Sequence, residues 1–155
     1  MTLARLFVSL IPLLVFSLAH AEDKEVLSDA ITYLGRWDFK NSQTGMKFGG
    51  DMKIVLKEKL PTPEQDILTY KGKISFDGRE TNDKCGTVGS FGGDTPVDVL
   101  WEQKGDDVIL SYRVPCAVKD PVTVTKRFKY SDGSITYEYA RAWGTGLEKL
   151  RRQMP

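Results

Sequence analysis

The chain is poor in histidine: among 155 residues it has only His20, which lies in a predicted leader. Residues 1–21 show the pattern of a secretory signal peptide, with Arg5 near the start, an apolar run, and an A-x-A cleavage site before Glu22. Cleavage there would leave a mature chain without imidazole, the usual general base and a frequent metal ligand near neutral pH. We therefore expect a binding protein, with no catalytic residue and no metal ion.

Cysteine is almost as scarce, since Cys85 and Cys116 are the only two. Two thiolates alone make a poor zinc site, and a thiol nucleophile would need a histidine partner that the mature chain lacks. In the oxidising surroundings of an exported protein, the two residues are expected to form one disulfide. No motif in the sequence requires a cofactor, so none is expected.

The sequence has no excess of charge of either sign and no second long hydrophobic run. Its 22 basic residues stand against 21 acidic ones, and loss of Arg5 with the leader makes the two numbers equal. Such a balance gives no general attraction to nucleic acid or anionic lipid. No run after the leader approaches the roughly 20 apolar residues that span a bilayer, so no transmembrane segment is expected. We expect a secreted or periplasmic protein, and the leader's short positive segment favours bacterial export.

Alternating apolar and polar residues fill much of the chain and predict antiparallel strands with one buried face. The clearest alternating segments are 97–102, 108–114, 122–130 and 135–139, with turn sequences at 104–106 and 131–133. Glycines within earlier runs, at Gly49, Gly50 and Gly72, indicate the bulges and bends that close a sheet. We therefore predict a mainly β fold, an antiparallel up-and-down β-barrel of about eight strands over residues 35–143.

Short helices are predicted at both ends of this barrel. In the segment 22–34, apolar residues recur at the i, i+3, i+4 spacing of an amphipathic helix. In the segment 144–155, a C-terminal tail or short helix would carry Leu147, Leu150 and Met154 on one face. The mature chain would then be one barrel domain with a helical segment on each side.

The sequence Gly35-Arg36-Trp37 resembles the G-x-W motif that opens the barrel of lipocalins and their calycin relatives. The resemblance implies that Trp37 has a structural role at the end of the barrel, packed beneath a basic residue that is Arg141 or Arg151. The chain is also similar, more weakly, to avidins and to small periplasmic inhibitors of bacterial metalloproteases, which share the G-x-W barrel. It departs from lipocalins in having no T-D-Y motif and no long C-terminal helix.

Aromatic residues on the inward face of the predicted barrel are the candidate ligand-binding residues. If Ile135 points inward, strict alternation places Tyr137, Tyr139 and Arg141 on the same face, where a guanidinium beside phenols could hold a carboxylate. The full set of predicted ligand-binding residues is Tyr112, Phe128, Tyr137, Tyr139, Arg141 and Trp101. The predicted ligand is a small apolar or amphipathic molecule, with or without a carboxylate. The other interpretation is that these aromatics simply fill a narrow barrel.

Two alternatives to ligand binding stay open at this point. One is a protein-binding module, such as a periplasmic protease inhibitor, that acts on an exported partner through its N-terminal arm or the glycine-rich loop 85–94. The other is a hydrolase or isomerase that uses carboxylates, for which the candidates are the acidic cluster of Asp77, Glu80 and Asp83 and the pair Asp106 and Asp107. Both groups lie in turn-rich sequence, where a solvated acidic loop is the ordinary explanation.

Overall fold

A computed structural model of the chain describes residues 24–77, 79–81, 88–90, 96–116 and 120–155. Within those residues the chain forms ten β-strands and no helix. The strands are β1 (Glu25–Asn41), β2 (Lys47–Leu60), β3 (Ile67–Phe76), β4 (Arg79–Thr81), β5 (Val88–Ser90), β6 (Val97–Lys104), β7 (Asp107–Val114), β8 (Val122–Ser131), β9 (Ser134–Arg141) and β10 (Gly144–Arg152).

Eight of these strands form a closed barrel in the order β1-β10-β9-β8-β7-β6-β3-β2, and every neighbouring pair is antiparallel. The first and last strands close it, with a register that runs from Tyr33 opposite Arg152 to Asn41 opposite Gly144. Strands β4 and β5 pair with each other as a separate two-stranded sheet between β3 and β6. The predicted antiparallel, eight-stranded barrel is therefore confirmed.

The hairpins of the second half follow from their turn residues. Gly105 joins β6 to β7 with a φ of 60°, and Asp132 and Gly133 join β8 to β9 with φ values of 48° and 75°. This left-handed conformation matches the twist of paired strands in tight hairpins, and glycine and aspartate adopt it at low cost. The turn predictions at 104–106 and 131–133 are confirmed.

Large, fully buried side chains lie toward the end of the barrel where β8 ends and β9 begins. Trp101, Phe128, Ile135 and Leu150 are all at most 1 % exposed there. Tyr33 packs on Trp101 with ring centroids 4.8 Å apart. Because these side chains are removed from water, this half of the barrel is a packed core. Each of them contributes roughly 1.5 to 3 kcal/mol to folding.

The predicted N-terminal helix is wrong, because residues 25–41 form the long strand β1. Between Val26 and Ile31 the pairing of β1 with β2 changes register. A bulge of this kind breaks the strict alternation of a strand, and it explains why the apolar residues show a spacing typical of a helix. The arm at Glu25 and Val26 is itself paired, opposite Lys59 and Glu58 of β2.

The predicted C-terminal helix is also wrong, because residues 144–152 form β10, the strand that closes the barrel against β1. Leu150 faces inward and is fully buried, whereas Leu147 is 36 % and Met154 91 % exposed. Leu147 and Leu150 are three apart and so lie on opposite faces of the strand, and Met154 lies beyond its end at Arg152.

Several predictions from the sequence lie outside the described residues. They are the signal peptide over 1–21, the side chain of Glu80, the residues Asp83 and Cys85, and the loop 85–94 apart from the short strand β5. In the described part of the chain, no helix is long and apolar enough to cross a bilayer.

Candidate functional site

The other half of the barrel contains a cavity of about 360 Å³. It lies toward the end where β1, β3 and β9 finish and where β2 and β10 begin. This volume is within the range of small-molecule sites, which starts at about 300 Å³. The cavity is lined by Trp37, Phe39, Phe48, Met52, Phe76, Lys126, Tyr137, Tyr139, Arg141, Trp143 and Glu148.

Aromatic rings form most of the cavity wall and contact one another. The rings of Tyr137 and Tyr139 stack at 5.4 Å, and Phe39 lies 6.3 Å from Tyr139 and 4.4 Å from Trp143. The backbone N–H of Ser42 donates to the carbonyl of Trp143 at 3.0 Å, which joins the two turns at this end of the barrel. An aromatic wall held in this way presents a preformed apolar surface to a ligand.

Trp37 is fixed in the wall by a hydrogen bond. Its indole Nε1 donates to the backbone carbonyl of Asp77 at 2.5 Å, across the intervening strand β2. Gly50 of β2 leaves room for the indole at this point, since a Cβ there would lie 2.7 Å from Nε1. The ring is therefore held at the cavity end of the barrel, close to where β3 leaves the sheet.

The base of the cavity carries an ion pair. The Nζ of Lys126 on β8 lies 2.5 Å from Oε1 of Glu148 on β10, and the two side chains are only 13 % and 6 % exposed. The ammonium also lies 5.8 Å from the ring centre of Tyr112 and 5.7 Å from that of Tyr137. Both aromatic faces attract the cation at these distances.

This ion pair links strands that are not neighbours in the sheet. Among the described residues β8 and β9 pair only from Lys129 opposite Thr136 to Ser131 opposite Ser134. This ladder ends before Lys126, so the ion pair connects β8 directly to β10 on the inner side of β9. The β8–β9 pair, which has the fewest paired residues of the barrel, therefore lies beside the cavity.

Arg141 provides a positive charge where the cavity meets solvent. It is the last residue of β9 and is exposed, and its guanidinium carbon lies 5.9 Å from the ring centre of Tyr139. Phe48 and Trp143, also in the lining, are 46 % and 42 % exposed. We call this outer part, with Phe48, Arg141 and Trp143, the mouth of the cavity. A guanidinium in this position can bind a carboxylate or another oxyanion through paired N–H donors.

The structure separates the predicted ligand-binding residues into two groups. Tyr137, Tyr139 and Arg141 line the cavity, as the alternation from Ile135 predicts. Tyr112, Phe128 and Trp101 are at most 3 % exposed and belong to the core below the cavity. The ring of Phe128 nevertheless supports the wall from beneath, 5.4 Å from that of Tyr137.

The two residues predicted for the end of the barrel lie apart. Trp37 faces the cavity, and its partner across the β1–β10 ladder is Glu148. Arg151 is opposite Leu34 on that ladder and is exposed on the outer face. Of the two basic residues predicted to accompany Trp37, Arg141 is therefore the one that shares the cavity with it.

Neither a metal centre nor a free thiol is found in the described part of the chain. No group of three histidine, cysteine or acidic side chains there could hold a metal ion. Cys116, between β7 and β8, is not a free thiol. Its predicted partner Cys85 lies outside the described residues, so the Cys85–Cys116 disulfide stays a prediction.

Sequence reasoning missed several residues of the lining. Phe39 and Phe76 lie near the ends of β1 and β3, Met52 lies within β2, and Trp143 lies in the turn between β9 and β10. Alternation alone does not separate these positions from those in the filled half of the barrel. Glu148 could have been found, because counting back in twos from the inward Leu150 places it on the inner face. It was not identified because an acidic residue in a polar tail is expected to lie in solvent.

No protein-family model, no curated protein and no solved structure matches this chain.

Proposed function

We propose that this protein binds a small apolar or amphipathic molecule in the cavity at the mouth end of its barrel. The cavity itself is the observation that carries the proposal: about 360 Å³ with mainly aromatic walls, in a barrel whose other half is filled. A barrel of eight strands can be packed solid, so space kept open beside so much apolar surface favours a ligand.

The charges at the cavity favour an anionic head group on that ligand. Arg141 lies at the mouth, where a carboxylate could bind it while staying partly in water. The rest of the molecule would lie against Phe39, Tyr137 and Tyr139 and lose contact with water. An amphipathic acid fits both surfaces together, in agreement with the ligand class predicted from the sequence.

A matched pair of ligands tests this proposal. Decanoate and decanol share an alkyl chain and differ in the head group, and their affinities can be measured by displacement of a fluorescent anion such as anilinonaphthalene sulfonate. We expect both to bind, and decanoate to bind more tightly. Substitution Arg141→Gln should weaken decanoate about tenfold, because a hydrogen bond to a charged group is lost, and leave decanol unchanged.

The control variant is Arg127→Gln, which removes an exposed arginine from the outer face of β8. It should change neither affinity. Failure of both ligands to bind the folded wild-type protein would contradict the proposal. Equal losses for decanoate in the two arginine variants would mean that general charge, and not the cavity mouth, attracts the anion.

Export is part of the proposed function. A leader that ends at Ala21 would deliver the barrel to a periplasm or to the surroundings of the cell, where a carrier or scavenger of amphipathic molecules could act. The resemblance to calycins, whose members commonly bind small molecules within a barrel, supports the same proposal. The protein-binding alternative, through the N-terminal arm or the loop 85–94, stays a prediction.

A further inference from the structure

The cavity has polar groups at both ends, and this defines its ligand more closely. We propose that the ligand is bifunctional: an anionic group binds Arg141 at the mouth, and an uncharged hydroxyl binds the Lys126–Glu148 pair at the base. This inference rests on the proposed function and adds the chemistry of the ligand's inner end.

The ion pair is poorly explained by stability alone. Taking both charges out of water costs several kcal/mol for each ion, and well-packed apolar residues in place of a buried pair are often neutral or stabilising. Here the pair lines the cavity, with exposed fractions of 13 % and 6 %. A barrel that only needed a closed base could use apolar side chains at Lys126 and Glu148. A buried ion pair that lines a cleft is therefore a candidate for contact with a ligand.

The two charges together select an uncharged partner. A ligand carboxylate that binds Lys126 would also lie beside Glu148, and a ligand ammonium that binds Glu148 would also lie beside Lys126, so the repulsion offsets the attraction and the ligand's own charge is left poorly solvated. A hydroxyl avoids both conflicts, since it can donate to the carboxylate of Glu148 and accept from the ammonium of Lys126. An aliphatic end would leave the pair without this contact.

The distance between the two ends sets the length of the ligand. Glu148 lies opposite Tyr137 on the β9–β10 ladder, four residues from Arg141 along β9. At about 3.3 Å per residue, the Cα atoms of Tyr137 and Arg141 are about 13 Å apart along the strand. A chain of the length of decanoate is of this order, so its ω-hydroxyl would reach the base when its carboxylate is at the mouth.

The test compares four probes on the wild-type protein: decanoate, ω-hydroxydecanoate, ω-aminodecanoate and decanedioate. Isothermal titration calorimetry gives each affinity under one set of conditions. We expect ω-hydroxydecanoate to bind about tenfold more tightly than decanoate, because a hydrogen bond to a charged group is gained. The amine and the second carboxylate should both bind more weakly than decanoate.

A double variant reverses the preference if the inference is right. Lys126→Met/Glu148→Leu makes the base apolar without leaving either charge alone, and circular dichroism checks that the barrel folds. In this variant decanoate should bind more tightly than ω-hydroxydecanoate, since the hydroxyl would be buried without a partner. Glu148→Gln offers a milder change, in which the side chain still accepts a hydrogen bond and part of the preference should remain.

The outcomes separate the two proposals. If no probe binds the wild-type protein, the proposed function itself is wrong. If the probes bind and ω-hydroxydecanoate is no tighter than decanoate, ligand binding stands and the bifunctional ligand is overturned. Should the double variant not fold, the order of the four probes on the wild-type protein decides, with 6-hydroxydecanoate as the control for position of the hydroxyl. That control should bind more weakly than ω-hydroxydecanoate.

Discussion

The ring of Tyr139 on β9 lies over Gly146, its partner on β10. A Cβ at Gly146 would overlap the phenol ring, whose nearest atoms include Cζ and the hydroxyl oxygen. The ring is itself held between Tyr137, at 5.4 Å, and Phe39, at 6.3 Å. The absence of a side chain at residue 146 therefore allows the aromatic wall of the cavity to take its position.

The first prediction concerns Gly146→Ala. The added methyl would push Tyr139 into Phe39 or Tyr137, and overpacking of this kind costs about 1 to 3 kcal/mol. We expect a lower free energy of unfolding in urea and weaker binding of decanoate by the same variant. Thr145→Ala, at the exposed neighbouring position, is the control and should change binding little. Unchanged stability and affinity in Gly146→Ala would contradict the wall as described.

The second prediction concerns Tyr33 and alkaline pH. Burial, assisted by the neighbouring Tyr130, raises the pKa of Tyr33 to about 12 from 10.0. The unfolded chain would therefore ionise this phenol before the folded barrel does. The stabilisation from keeping it neutral is complete below pH 10 and is lost as the pH rises from about 10 to about 12. Two pKa units correspond to about 2 to 3 kcal/mol.

The variant Tyr33→Phe tests this directly. Its free energy of unfolding should fall less steeply than that of the wild type over this alkaline range, because one titrating group is missing. Urea unfolding at pH 8 and at pH 11.5 gives the free energy of unfolding of both proteins. Their other tyrosines and lysines are the same, so the difference between the two proteins reports on Tyr33. Parallel losses in the two proteins would show that Tyr33 ionises normally in the fold.

The third prediction concerns processing and the disulfide. Protein recovered after export should begin at Glu22, and its intact mass should rise by two hydrogens on reduction of the Cys85–Cys116 bond. Reduction should also lower the free energy of unfolding by roughly 3 to 4 kcal/mol, as expected on the chain-entropy argument for a loop of about 32 residues. A mature protein that retains residues 1–21, or that has two reactive thiols, would contradict these expectations.

The sequence predicts strands β6 to β9 well, because the residues that pair with one another there are close along the chain. Each of the strands β6 to β9 pairs with the next one along the chain, β6–β7 and β8–β9 through tight turns, so partners in the sheet are near in sequence. Alternation then identifies the inward residues, and Trp101, Leu110 and Phe128 are buried as it requires. The inward set that includes Tyr137 and Arg141 follows from the same rule.

The first and last strands of the barrel, β1 and β10, were predicted poorly because their structure depends on partners that are distant in sequence. Strand β1 pairs with β10, more than a hundred residues away, and this contact leaves no local signal in 22–34 or 144–155. A bulge near the start of β1 further disguised its alternation. The helical interpretation was reasonable for each segment alone and wrong once the two were paired.

The cavity shows a similar division. Its wall residues on β9 could be predicted, but whether aromatic side chains fill a barrel or surround a space depends on how strands from the whole chain approach one another. Lys126 interrupts an apolar stripe, and Glu148 lies within an apparently polar tail. Only the fold brings these two residues to 2.5 Å from each other.

Quenching of tryptophan fluorescence by 2-bromodecanoate is the most direct test of ligand binding in the cavity. Its bromine lies beside the carboxylate, so binding at Arg141 brings it close to Trp143 at the mouth, while Trp37 lines the same cavity and Trp101 stays in the core. We predict saturable quenching at one ligand per chain, and loss of that quenching in Trp37→Phe/Trp143→Phe although calorimetry still detects binding. Quenching that never saturates, or that persists on Trp101 in the double variant, would contradict a ligand site at this end of the barrel.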